Sequence, residues 1–116
     1  MKTENSQRAT QLEALQWIYV TAPNREAALD LARTLVKERL VACANVMDGV
    51  QSVYWWEGGI VEDAEAVVVF KTQKSLVPQL TRRIQDLHSY DCPCIVALDI
   101  QDGNPDFLRW IVHETS

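Results

Sequence analysis

Three observations predict an α+β domain. Two stretches of helical apolar spacing alternate with four β-rich runs, the order strand–helix–strand occurs twice in succession, and a Gly-Gly pair joins the middle runs. The first strand is "LQWIYVTA" at 15–22, alternating and rich in aromatic and β-branched residues, and ended by Pro23. Asn24 then caps a helix with Glu26 in its first turn. Ala28, Leu31, Ala32, Leu35 and Val36 recur at helical spacing as far as about Arg39. Two β-rich runs follow between Leu40 and Thr72, joined at "EGG", where Gly58 and Gly59 supply the positive φ of a tight hairpin. Ser75 is the expected cap of the second helix, Pro78 is tolerated in its first turn, and Leu76, Leu80, Ile84 and Leu87 form its apolar stripe up to His88. "CIVALDI" is a fourth strand. After it "DGNP" puts Asn104 at a cap and Pro105 at the first position of a closing helix, with Phe107, Leu108, Ile111 and Val112 as its buried side. This order is the ferredoxin-like βαββαβ plan, an antiparallel four-stranded sheet with both helices on one face, here with a long hairpin and a C-terminal helix.

The hairpin implies an association. One strand over 60–73 extends ~45 Å at ~3.3 Å per residue, whereas a compact domain of this length is ~35 Å across, so part of the ribbon overhangs. An overhang bearing Val53, Trp55, Trp56 and several valines leaves apolar side chains and open edges in water, and a partner subunit is the expected cover. The alternative is that Asp48-Gly49 and Ala64 mark bulges that shorten the strands.

At 116 residues and 47% hydrophobic, the chain fits one globular domain that buries roughly two-thirds of its unfolded surface. The polar "MKTENSQRATQL" has no apolar run of the signal-peptide kind, so a flexible arm is expected over 1–13 and a single domain over 14–116. The longest apolar run, "AVVVF", falls far short of the ~18–20 residues of a membrane span, and the expectation is a soluble, cytoplasmic protein. A net charge of −5, with a local basic excess only at Lys71, Lys74, Arg82 and Arg83, argues against nucleic acid as a partner. Three cysteines, an odd number, read as free thiols in a reducing compartment.

No nucleotide-binding loop, nucleophile elbow, HExxH or CxxC pattern is present, and Glu62, Asp63 and Glu65 read as a solvated cluster, so catalysis is not expected. "HSYDCPCI" gathers His88, Cys92 and Cys94. His88 at a helix end reads as a dipole-stabilised cap or as a ligand. Cys92 and Cys94 flank Pro93 at a strand start, where period-two geometry points both sulfurs one way. They can grip a soft ion such as Cu(I) or Zn²⁺, or fill space as small buried hydrophobes. Cys43 reads as a core position. Trp55 and Trp56 point to opposite faces, one of them structural. Lys71 shares a face with Val67 and Val69, with Glu65 as its nearest candidate partner, in either a ligand pocket or an interface ion pair.

"TAPN", "ACANV", "SVYWWEGGI", Glu65, "FKT", "HSYDCPCI" and "FLRW", in this order over residues 15–115, resemble the CutA family of divalent-cation tolerance proteins. The resemblance implies a tight homotrimer built like the PII signal-transduction proteins, with long hairpins packed between subunits. It implies a non-enzymatic role in the response to metal ions, copper above all, with copper or another divalent cation as the bound group. An alternative role is a PII-like scaffold that docks another, unidentified protein. Trp56, Glu65, Lys71 and Tyr90 match characteristic positions near the intersubunit cleft, and His88, Cys94 and Cys92 are the metal candidates. Some bacterial members are associated with copper through a first-strand cysteine and paired histidines. Here Val20 replaces that cysteine, Leu87 precedes the single His88, and Cys94 stands where the family pattern "HPYE.PE" has glutamate.

Overall fold

A computed structural model describes residues 14–116; the arm expected over 1–13 lies outside the described residues. The elements are β1 (Leu15–Ala22), α1 (Arg25–Lys37), β2 (Cys43–Trp56), β3 (Gly59–Gln73), a 3-10 turn (Lys74–Leu76), α2 (Val77–Leu87), β4 (Ile95–Asp99) and α3 (Pro105–Glu114). The strands form one antiparallel sheet in the order β2-β3-β1-β4, which is the ferredoxin-like topology.

Alternation sorts the sheet into two faces. Ile18, Val20 and Ala22 of β1, with Ala66, Val68 and Phe70 of β3, are buried beneath Ala28, Leu31, Ala32 and Leu35 of α1 and Leu80 and Ile84 of α2. Asn24 caps α1 as expected, its Oδ1 accepting from the Ala27 N–H at 2.8 Å. The helix closes with paired bonds from Arg39 N–H to the Val36 carbonyl and from Leu40 N–H to the Leu35 carbonyl. This is a Schellman stop in which Arg39, not glycine, takes the positive φ of 60°. Ser75 does not cap α2. It lies inside the 3-10 turn, and Leu76 precedes the helix without a side-chain cap. α3 closes one end of the sheet, burying Leu108 and Ile111 against Leu15 and Ala42. Phe107, expected on that buried side, instead stays exposed and packs near Trp110 at 5.4 Å.

The hairpin overhangs. β1 pairs with β3 only over Ala66–Gln73, and the remaining residues 59–65 pair with β2 alone. About seven residues at ~3.4 Å each project about 24 Å beyond the four-stranded region. The molecule accordingly measures 56 × 27 × 23 Å. A bulge does sit at Asp48-Gly49, where the register shifts between Met47 and Val50 and Gly49 has φ 75°, but β2 resumes beyond it and β3 runs unbroken through Ala64. At the tip the positive-φ pair is Glu57 (49°) and Gly58 (81°), so the turn sits one residue earlier than the Gly-Gly pair suggested. Trp56 then pairs directly with Gly59 across a two-residue loop.

Candidate functional site

The register of the ribbon decides what faces the loop after α2. Trp56 opposes Gly59, Tyr54 opposes Val61, Ser52 opposes Asp63 and Val50 opposes Glu65, so these side chains share one side of the ribbon. On that side a cleft of about 460 Å³ lies between Tyr54, Trp56 and Glu65 on the strands and Tyr90, Cys92 and Cys94 on the loop. Three of the four expected cleft residues therefore meet: Trp56, Glu65 and Tyr90. Tyr54, Ser52 and Asp63 were not anticipated, although counting by twos from Trp56 and closing the turn at Glu57-Gly58 places all three on this side.

The fourth residue, Lys71, is elsewhere. It opposes Cys43 on β2, and its Nζ donates to Asn45 Oδ1 at 2.6 Å and lies 3.8 Å from Cys43 Sγ. Glu65 is six residues away along the strand, about 20 Å. Sharing a face does not bring the two within reach of an ion pair. Cys43, expected in the core, is half-buried on this open side of the sheet.

Glu65 is buried and its Oε2 accepts from the Tyr90 hydroxyl at 2.8 Å. Burial first, and then the Glu65 carboxylate, push the Tyr90 hydroxyl up to about 12. Tyr54 donates to Asp63, and that hydrogen bond raises its hydroxyl above the ordinary tyrosine value. Trp55 and Trp56 are 74% and 57% exposed, so neither is a core residue of this chain. They cover opposite sides of the ribbon.

Both ring nitrogens of His88 have hydrogen-bond partners. Its Nδ1 accepts from the Tyr90 backbone N–H at 3.1 Å and its Nε2 lies 2.7 Å from the Thr21 carbonyl, which fixes the proton on Nε2. Its ring packs on Tyr90 at 4.7 Å. His88 stands at the C-cap of α2 as expected, its backbone N–H donating to the Ile84 carbonyl, and its ring braces β1 against the cleft loop. Cys92 and Cys94 do reach one cleft, but β4 begins at Ile95, so both lie ahead of the strand and both are exposed instead of filling space. Among the described residues no group of three or more His, Cys, Asp or Glu side chains is close enough to hold a metal ion. A four-ligand zinc centre or an oxygen-rich site for a hard cation does not fit the donors of one chain.

The model of the CutA1 divalent ion tolerance protein family matches residues 16–114. The divalent-cation tolerance protein CutA of Pyrococcus horikoshii is 45% identical over 98 residues, covering 84% of this chain and 95% of that protein. The chloroplastic protein CutA 1 of Oryza sativa is 44% identical over the same share of this chain but only 55% of its own length. The chain spans about half the length of the plant and mammalian relatives it matches. Among solved structures, CutA1 from Oryza sativa superposes with a TM-score of 0.88 at 40% identity, covering 91% of this chain and 97% of that one. The divalent cation tolerance protein from Thermus thermophilus gives 0.86 at 40% identity, covering 88% and 99%. No helix among the described residues is long and apolar enough to cross a membrane. With the family model matched along almost the whole described domain and the same fold in both solved relatives, the chain belongs to the CutA1 divalent-ion tolerance family.

Proposed function

We propose that this protein serves divalent-cation tolerance as a non-enzymatic, PII-like homotrimer in the cytoplasm, binding a metal ion or a small ligand in clefts completed between subunits. The observation that carries this reading is the position of the cleft. It lies along a ribbon that projects past its own domain: Tyr54, Trp56 and Glu65 build one wall and Tyr90, Cys92 and Cys94 the other, while residues 59–65 of β3 pair with β2 alone. Exposed apolar side chains also lie outside the cleft: Trp55 on the far side of the ribbon, and Met47, Val96 and Leu98 on the sheet face away from α1 and α2. A second copy of the chain supplies the apolar cover and closes the cleft further. The relatives' designation as divalent-cation tolerance proteins supports the general role. Three free thiols support a reducing compartment.

Isothermal titration of the reduced protein with Cu²⁺, Zn²⁺ and Cu(I) tests the reading. Saturable binding that Glu65→Gln or Tyr90→Phe alters supports it, and the absence of saturable binding for all three ions overturns the metal version. A docking scaffold is the second reading, favoured by Phe107 and Trp110, an exposed aromatic pair on α3 remote from the cleft. A pull-down from which only the bait is recovered counts against it.

A further inference from the structure

The cleft is acidic as well as aromatic. Tyr54, Trp56 and Tyr90 bring three rings to its lining and Glu65 and Asp91 bring two carboxylates, while no lysine, arginine or histidine lines it among the described residues. Its volume of about 460 Å³ lies within the ~300–1,000 Å³ usual for small-molecule sites. Glu65 is the unusual member, a carboxylate only 9% exposed. Among the described residues its side-chain hydrogen bonding uses Oε2 alone, through Tyr90, and no ion pair involves it. Lys71, on the same face, donates to Asn45 instead. A charge so far removed from water calls for a counter-ion.

The rings select the kind of counter-ion. The Tyr90 hydroxyl donates to Glu65 and the Tyr54 hydroxyl to Asp63. Both phenols keep their protons: burial and then Glu65 push Tyr90 up to about 12, and the hydrogen bond to Asp63 raises Tyr54. A phenol that donates to a carboxylate is polarised towards its ring, and the electron-rich face then attracts a cation more strongly. A metal ion finds too few ligands, since no three His, Cys, Asp or Glu side chains gather among the described residues. An organic ammonium ion needs no such shell. Its carbon surface packs on the rings while its charge meets the ring faces and the Glu65 carboxylate. A neutral ligand would leave Glu65 uncompensated, and an anion would be repelled by the cleft and by a chain of net charge −5.

We infer that the cleft of Tyr54, Trp56 and Tyr90 binds a small organic ammonium ion, held by cation–π contact with the rings and by the Glu65 carboxylate. This rests on the ligand-cleft reading above and names the class of small ligand the cleft takes.

Isothermal titration of the full chain at constant ionic strength tests it with tetramethylammonium, n-butylammonium and, as the neutral counterpart of the latter, 1-butanol. Saturable binding of an ammonium ion is expected, with 1-butanol bound more weakly. Trp56→Leu keeps an apolar wall but removes a ring, and should weaken ammonium binding by about 2- to 30-fold, the range of one cation–π contact. Glu65→Gln keeps the shape but removes the charge, and should narrow the preference for n-butylammonium over 1-butanol. Glu62→Gln is the control. It removes the same charge from the opposite side of the ribbon, and should leave affinity unchanged. Trp56 is exposed, so its replacement removes no core packing, and circular dichroism of each variant separates lost binding from lost fold. Binding of 1-butanol as tight as that of n-butylammonium, or ammonium binding unaltered by both Trp56→Leu and Glu65→Gln, overturns the inference. So does the absence of ammonium binding in a protein that still binds Cu²⁺ or Zn²⁺ saturably, an outcome that leaves the cleft reading standing. A protein that binds none of these ions removes both.

Discussion

The Tyr90 hydroxyl donates to Glu65 while its own backbone N–H is held by His88, so a single residue ties the loop to β3 by one end and to β1, through the imidazole, by the other. Because the Tyr90 hydroxyl is raised to about 12, the folded protein keeps a proton that the unfolded chain has lost. Its contribution to stability is complete below the ordinary tyrosine value of 10.0 and is lost as pH climbs from there to about 12. Ultraviolet titration should show a phenolate near pH 12 that Tyr90→Phe removes. In Glu65→Gln that phenolate should move down but stay above the ordinary value, since burial is the larger cause. Replacing His88 with alanine unpairs the Tyr90 N–H and the Thr21 carbonyl, and should cost about 1–3 kcal/mol in chemical denaturation. At this scale the sequence told residue identities but not partners. Glu65 and Lys71 share a face by parity, yet parity carries no information about distance, and each found a different neighbour. His88 lies at a helix end, but its role came from the β1 carbonyl that the tertiary fold brings to it.

Among the elements, the β2–β3 ribbon holds the most unusual backbone. Glu57 at the tip has φ 49°, a region asparagine and glycine enter far more readily than a glutamate. Glu57→Asn should therefore raise the unfolding midpoint, by about 0.5–1 kcal/mol in free energy. In β3, Phe70 is fully buried between the sheet and the two helices, and Phe70→Ala should cost about 3–5 kcal/mol in denaturant unfolding. Periodicity made the helices and strands legible, because burial on one side of each is strong enough to write itself into the residue pattern. Their ends were less so. Ser75 is a good capping residue, yet the chain leaves β3 through a 3-10 turn that occupies it. Phe107 fits the helical stripe of α3, but Leu108 and Ile111 are the residues buried there, with Val112 packed partly against them.

Across the whole molecule, two apolar surfaces remain bare on the isolated chain. One is the sheet face carrying Met47, Val96 and Leu98; the other is the ribbon, with Val53, Trp55 and Ile60 on one side and Trp56 on the other. The overhang was legible in the sequence because strand length can be compared with domain diameter. The identity of its cover was not, since hydrophobicity names no partner. If copies of this chain supply the cover, Trp55→Glu should place a charge in the contact and shift the protein towards monomer at micromolar concentration, while the far-ultraviolet spectrum of the domain persists. The claim on which the rest depends is the assembly that closes the clefts, and light scattering of the unsubstituted protein at micromolar concentration tests it directly. The account predicts a mass of about three times the 13.2 kDa chain. A single species at 13.2 kDa would contradict it.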